Sequence, residues 1–356
     1  MRRVGIIGAT GMVGQRFALL LDNHPWFRVT CVAASPKSAG KPYREAVAGR
    51  WAFPHTPIPE YIADLTVLDA ADIAAVSKQV DFVFCAVDMP KRETRTLEEA
   101  YAKAEIPVIS SNCACRGLDD VPMLIPEING FHIQAIAKQK ERLGTKRGFI
   151  IVKPNCSIQS YVPALWPLLQ FEPEQVVACT YQAISGAGKT FETMPEMIDN
   201  VNPFIKDEDE KSENEPLKIF GKVEDGRIVN SVSPVISAQC VRVPCTDGHL
   251  AAVSVSFKRK PSIGQILECW ANAKTETDGM NLPSSPKQFL KYMTEPDRPQ
   301  TRLDRDFENG MGITIGRLRE DAVLHYKFVC LSHNTVRGAA GGGVLSAEYL
   351  CKLGYI

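Results

Sequence analysis

The feature that most constrains the fold lies at the start of the chain. Val4-Gly5-Ile6-Ile7 is a short, unbroken apolar run, as expected of a buried parallel strand. Gly8-Ala9-Thr10-Gly11-Met12-Val13-Gly14 follows, and Gln15 to Leu21 reads as a helix. Strand, glycine-rich turn and helix in this order open a dinucleotide-binding sheet. The glycines are shifted by one from the G-x-G-x-x-G spacing. Their physical task is the same: small residues let backbone N–H groups approach a pyrophosphate at the helix start.

The second strand, Val29 to Ala34, runs into Ser35-Pro36-Lys37-Ser38-Ala39-Gly40-Lys41. An NAD enzyme usually places a carboxylate here to hold the ribose 2′-hydroxyl. Hydroxyls and ammonium groups suit a 2′-phosphate instead, so the sequence predicts NADP over NAD. Two more β-α units follow: Phe82 to Ala86 with a helix from Pro90 to Lys103, and Val108 to Ser110 leading into Ser111-Asn112-Cys113-Ala114-Cys115-Arg116. The alternation implies a doubly wound parallel sheet of Rossmann type. The proline-dotted loop from Arg50 to Pro59 has no function legible in sequence. At 356 residues the chain exceeds one ordinary core, which predicts a second domain.

A second focus is Lys153-Pro154-Asn155-Cys156-Ser157-Ile158-Gln159. The apolar Phe149 to Val152 reads as a strand, and Ile158 to Leu169 has helical length. Cys156 is thus expected on a strand-to-helix turn, where free N–H groups and the helix dipole favour a thiolate. Magnitudes limit that help. An ordinary thiol is only about 3 per cent ionised at pH 7, and lowering its pKa by two units takes about 2.7 kcal/mol. A helix terminus supplies about 0.3–1 kcal/mol. A histidine partner is therefore expected. Spacing does not choose among the six histidines. His249, after Asp247-Gly248 at the mouth of a strand, is well placed for a general acid/base, while His325 sits in an apolar run.

Beyond Cys156 the pattern becomes α+β. Val176 to Gln182 reads as a strand. Ser185-Gly186-Ala187-Gly188-Lys189-Thr190 imitates a phosphate loop, but that motif's first glycine would fall on Ala183, which excludes it. Its glycines are expected to lie against the cofactor. The acidic run Lys206 to Glu215 reads as a solvated loop. Cys240 to Val243 and His249 to Phe257 read as two antiparallel strands joined by a turn. Pro261 to Ala273 reads as a helix, and a glycine-rich turn at Gly341 to Gly343 precedes a final helix from Val344 to Lys352.

Charge narrows the function. Lys plus Arg and Asp plus Glu are 41 each, so a general nucleic-acid or anionic-membrane binder is excluded. No apolar run approaches the roughly 18 residues of a membrane span. The eleven cysteines form no Cys-x-x-Cys pair, so neither a zinc site nor a disulfide framework is suggested. The Met-Arg-Arg start without an apolar leader, together with a reactive thiol, leads to the expectation of a cytoplasmic protein with reduced cysteines. A thiol nucleophile beside a nicotinamide suits acyl chemistry through a thioester.

These residues together resemble the aspartate-β-semialdehyde dehydrogenase family, in the branch found in fungi, archaea and some bacteria. The resemblance covers nearly the whole chain. It rests on Gly8 to Gly14, on Pro154-Asn155-Cys156-Ser157, on Tyr181-Gln182-Ala183-Ile184-Ser185-Gly186, on Arg242 with His249, and on Val121 to Asn129. It implies NADP-dependent reductive dephosphorylation of L-4-aspartyl phosphate to L-aspartate 4-semialdehyde, on the route to lysine, threonine, methionine and isoleucine. Cys156 would be the nucleophile, His249 the acid/base, and Gln182 would hold the acyl-enzyme. Arg242 would bind the α-carboxylate, a task for which guanidinium is well shaped. Glu215 (or Glu213) would bind the ammonium, and Lys218 and Arg116 the phosphate. Gly8, Thr10, Gly11, Met12, Val13, Ser35, Ser38, Ser185, Gly186 and Asn334 would contact the cofactor, and the scheme needs no metal. The implied organisation is an NADP-binding domain, 1–152 completed by 334–356, and a catalytic and dimerisation domain, 153–333, in a homodimer or homotetramer. Cys156 and His249 are expected to pair across two strands of the second domain. Two alternatives remain at this point: a malonyl-CoA reductase on the same scaffold, and a non-catalytic NADP-binding protein.

Overall fold

The computed structural model describes residues 1–356. Its first sheet holds six parallel strands: β1 (Arg2–Ile7), β2 (Phe27–Ala34), β3 (Val67–Asp69), β4 (Phe82–Cys85), β5 (Val108–Ser110) and β6 (Ile150–Val152). The spatial order is β3-β2-β1-β4-β5-β6. The order reverses between β1 and β4, and that switch point opens the crevice in which such sheets take nucleotides. Gly8 leaves β1 at φ +85°. A Cβ there would stand 2.3 Å from the Ala86 carbonyl oxygen, so only glycine fits this turn. The helix Met12–Leu20 follows directly, and its Phe17 stacks on Phe84 at 4.4 Å. Burying one such ring contributes about 1.5–3 kcal/mol. The C-terminal helix Gly341–Lys352 returns to this sheet, with Val344 and Leu345 in the same core as Val4, Phe17 and Ile109.

The second sheet is mixed. Its strands are β7 (Pro173–Gln182), then, past a two-stranded ribbon of β8 (Lys222–Glu224) and β9 (Arg227–Val229), β10 (Val235–Arg242), β11 (His249–Phe257), β12 (Leu290–Met293), β13 (Ile313–Glu320) and β14 (Tyr326–Ser332). They lie in the order β10-β7-β11-β14-β13-β12. The helix Ile263–Ala271 starts on a capping box of Ser262 and Gln265 and buries Trp270 against Phe328. No helix is long and apolar enough to cross a membrane.

Four local expectations change. The segment after Cys156 is broken into a 3-10 turn (Ser157–Gln159), a short helix (Tyr161–Leu165) and a second 3-10 turn (Trp166–Phe171). Pro163 and Pro167 lack the N–H groups a continuous helix needs, so Cys156 caps three residues and gains little from a dipole. The strands β10 and β11 are not neighbours, because β7 lies between them, parallel to β10 and antiparallel to β11. The acidic run is no loop but most of a helix, Glu208–Ile219, which turns Glu208, Ser212, Glu215 and Ile219 inward at helical spacing. The glycines from Gly341 to Gly343 form the first turn of the last helix and not a loop.

This topology places the site. β7 and β10 run in register to Gln182 and Arg242, while β11 starts at the same edge with His249. β6 of the other sheet delivers Cys156 to that edge four residues after its last residue, Val152. The Cys156–His249 pair therefore joins the ends of strands from the two sheets, and not two strands of the second sheet.

Candidate active site

Cys156 Sγ lies 3.5 Å from His249 Nε2 and 3.5 Å from Asn155 Oδ1. The other ring nitrogen, Nδ1, accepts the backbone N–H of Ala183 at 3.1 Å. A backbone amide can only donate, so in the neutral ring the proton sits on Nε2 and points at sulfur. The thiol proton is then directed to Asn155 Oδ1. Burial, and next the Arg242 guanidinium, push His249 down to about 3. The resting pair is thus a thiol and a neutral imidazole. Burial also pushes the Cys156 thiol up, and the Glu208 carboxylate adds to this; Lys153, Arg242 and Arg116 pull the other way.

Around the pair stand two sets of charges. Arg242 donates to the Ala183 carbonyl at 2.8 Å, which aims its fork beside His249. Gly186 covers both: a Cβ on it would lie 2.8 Å from Arg242 Nη1 and 2.9 Å from His249 Nε2. The glycine expected to face the cofactor is required first by Arg242 and His249. Glu208 Oε2 accepts from Asn155 Nδ2 at 3.0 Å and from Gln182 Nε2 at 3.1 Å, and its Oε1 accepts from Lys211 at 3.1 Å. Gln182 is thereby held against the acid, and its amide also donates to Thr180 Oγ1 at 3.3 Å.

The second set lies on the other side of Asn155. Arg116 donates to Glu215 at 2.7 Å and to the Ser111 carbonyl at 3.2 Å, and its Nε has no partner. The second Glu215 oxygen accepts the Asn155 backbone N–H at 2.5 Å. Glu213 points away, onto the backbone N–H of Ala238 in β10. Lys218, expected at the phosphate, gives its three protons to the carbonyls of Arg116, Leu118 and Val121 at 2.5–2.8 Å. In this arrangement it clamps the loop that carries Arg116. Arg116, Glu215 and Lys218 line a cleft of about 470 Å³ with Lys91, Cys113 and Lys211.

The crevice edge carries the remaining expected residues. Gly11 precedes the first helix without any side-chain cap, so the first-turn N–H groups of Met12 and Val13 stay free for a pyrophosphate. Ser35 and Ser38 form the turn after β2. Asn334 is committed to the protein: its amide donates to Ser185 Oγ at 2.8 Å and its oxygen accepts the Gly248 N–H at 2.8 Å. It locks the Ser185 turn to the strand carrying His249 and keeps one N–H to spare.

Three residues escaped the sequence reading. Glu208 is signalled only by its helical spacing with Ser212 and Glu215, which the acidic composition hid. Asn155 stands inside the Pro154–Ser157 motif with nothing in its local sequence to mark its contacts. Lys153 follows an apolar strand, and a buried lysine three residues before the candidate cysteine is a readable signal. Burial, and then Arg116, push it down to about 8.

The family model "Semialdehyde dehydrogenase, NAD binding domain" matches residues 3–136, and "Semialdehyde dehydrogenase, dimerisation domain" matches 165–337. The aspartate-semialdehyde dehydrogenase of Archaeoglobus fulgidus is 41% identical over 98% of each chain. That of Schizosaccharomyces pombe is 40% identical over 99% of each chain. The crystal structure of the Candida albicans enzyme with NADP superposes with a TM-score of 0.89, at 34% identity and full coverage of both chains. With a cysteine and a histidine set at the meeting edge of two sheets, and with likeness of this extent, the chain belongs to the aspartate-semialdehyde dehydrogenase family.

Proposed function

We propose that the protein is an NADP-dependent, phosphorylating aspartate-semialdehyde dehydrogenase. It converts L-4-aspartyl phosphate to L-aspartate 4-semialdehyde, reversibly, on the route to lysine, threonine, methionine and isoleucine. The observation that carries the reading is the contact of Cys156 with His249 between an acid–arginine set and a second arginine cleft.

In this reading Cys156 Sγ attacks the β-acyl carbon, and the C–O bond to phosphate breaks with its electron pair going to phosphate, which also takes up the thiol proton. The product is a thioester on Cys156. Bound NADPH supplies the hydride that reduces this thioester. His249 Nε2–H hydrogen-bonds the oxygen that becomes negative, and collapse of the hemithioacetal breaks the C–S bond and leaves a thiolate, which takes a proton from solvent to regain the resting thiol. Arg242 takes the α-carboxylate. Pairing with that anion offsets the Arg242 field, the second cause after burial of the lowered His249.

Charge placement revises one expected role. Arg242 and Cys156 both feel Glu208, whereas Arg116 pairs with Glu215. The substrate's ammonium and carboxylate share one carbon, so the ammonium belongs beside Arg242, at Glu208. Glu215 then orients Arg116 toward the phosphate, and Lys218 fixes the loop beneath it. Gln182, held by Glu208, positions the acyl group. Gly8, Thr10, Gly11, Met12, Val13, Ser35, Ser38, Ser185, Gly186 and Asn334 frame the cofactor.

The proposed division is residues 1–152 with 334–356 for the cofactor and 153–333 for catalysis and assembly. The open face of the second sheet carries Val177, Cys179, Tyr181, Val235, Val241 and Ala252, half-buried or exposed. That apolar face supports a homo-oligomer of two or four copies. Eleven free thiols suit the reducing cytoplasm.

The test is an assay of aspartyl phosphate against malonyl-CoA with NADPH, repeated with Cys156→Ser. Preference for malonyl-CoA, or undiminished turnover in the variant, overturns the proposal. Light scattering that finds a monomer overturns the assembly.

A further inference from the structure

The proline-dotted loop after Arg50 is tied to the cofactor crevice at two points. Gln15, buried in the first helix, donates from its amide to the Thr10 carbonyl at 2.9 Å and to the Arg50 carbonyl at 3.1 Å. Its oxygen accepts the Ala52 N–H at 2.7 Å. One side chain thus joins the glycine-rich turn to the backbone of Arg50. The Arg50 guanidinium is held in turn. Nε and Nη2 donate to the Ala46 carbonyl at 2.9 and 2.6 Å, and Nη2 donates to Ser38 Oγ at 2.9 Å. Nη1 is left uncommitted.

Ser38 lies on the turn after β2, at the carboxyl end of the strand next to β1, where the adenosine ribose of a dinucleotide sits. Its hydroxyl accepts from Arg50 and keeps its own proton to donate. Lys37 and Lys41, the ammonium groups of the same turn, are exposed and make no hydrogen bond to it. The group at that hydroxyl is a guanidinium, always charged, with both protons of Nη1 spare for a phosphate oxygen.

We infer that Arg50 is the residue by which the protein selects NADP over NAD, pairing with Ser38 to hold the ribose 2′-phosphate. The inference rests on the proposed NADP dependence and deepens it. Arg50 acts on a group that NAD lacks, so its removal must weaken one cofactor and spare the other. A charge-assisted hydrogen bond lost at such a site is worth roughly 10- to 100-fold in affinity.

The experiment is titration of the full-length protein with NADPH and with NADH, followed by nicotinamide fluorescence. In Arg50→Ala the dissociation constant for NADPH rises roughly 10- to 100-fold, while that for NADH stays within about twofold. In Arg50→Lys, which keeps the charge and loses the fork, NADPH weakens by a smaller factor. Equal weakening of both cofactors in Arg50→Ala means that Arg50 only packs its loop, and this overturns the inference. So does an unchanged NADPH constant. If the wild-type protein binds NADH as tightly as NADPH, the cofactor reading itself fails and the inference falls with it.

Discussion

Two arginine–glutamate pairs in this molecule look alike on paper and have opposite surroundings. Arg337 and Glu127 are both 1% exposed in their side chains and joined at 2.6 Å. Arg337 donates to both Glu127 oxygens and twice to the Met311 carbonyl, and its guanidinium lies 5.1 Å from the centre of the Phe289 ring. Arg116 and Glu215 are joined at 2.7 Å but are 10% and 9% exposed, on the wall of a cleft. Arg116 leaves Nε without a partner. The first pair is saturated and pins the C-terminal segment to the first domain. The second is unsaturated and can accept an anion. Unfilled hydrogen-bonding capacity, more than burial or distance, separates an arginine able to take a ligand from a saturated one.

The strongest way to break this comparison is to remove each arginine. Arg337→Met leaves Glu127 charged and enclosed, and should cost about 3–5 kcal/mol of stability in urea unfolding. Arg116→Met should cost only about 1–2 kcal/mol, since water reaches Glu215. It should instead lower kcat/KM for the acyl phosphate about 100-fold, equivalent to about 2.7 kcal/mol. Equal losses of stability in the two variants would erase the distinction. Lys218→Met removes the clamp under Arg116 and should lower activity and stability together, unlike Arg116→Met; intact kcat/KM would deny the clamp its role.

Smaller effects test the charge balance between the two sets. Cys156 should be alkylated by iodoacetamide with a midpoint above the ordinary thiol value of about 8.5. Glu208→Gln should move that midpoint down, and Lys153→Met should move it up, each read from the pH dependence of the rate. A shift in the opposite direction for either would contradict the assigned field.

The buried histidines set a pH dependence of stability. His249 is lowered to about 3, and His132 and His333 to about 4, in each case first by burial. Their folded values lie below the unfolded value of about 6.5. The unfolded chain therefore binds more protons between about pH 6.5 and 3, and stability falls as the pH drops through that window. Between pH 7 and 8 it should be flat in this respect. Thermal unfolding across pH 8 to 4 checks the sign, and nitrogen chemical shifts should show His249 neutral with its proton on Nε2.

Much of the first domain could be read locally. The strand Val4–Ile7, the glycine turn and the helix after it announce themselves within about twenty residues, because each signal is a short-range pattern of burial and backbone sterics. Val108–Ser110 and Cys156 were legible for the same reason. The helix Glu208–Ile219 was not, since its buried face is polar and its composition is that of a solvated segment. Its acids turn inward only because Asn155, Gln182 and Arg116 wait there. The turn that connects β10 and β11 in sequence suggests neighbours, while β7, which arrives earlier, takes the place between.

The sequence by itself determined the chemistry on offer: a nucleotide turn, one thiol at a strand end, and the cations and acids suited to an acyl-phosphate amino acid. These follow from residue type and local order. Tertiary structure decided which of them meet. It set Cys156 against His249 across 93 positions, gave Lys218 to three carbonyls, and brought Arg50 to Ser38. It also decided protonation, putting the His249 proton on Nε2 and raising the thiol. The reason is that desolvation and electrostatic fields are sums over spatial neighbours, and neighbours in space are settled only when the two sheets close on a common edge.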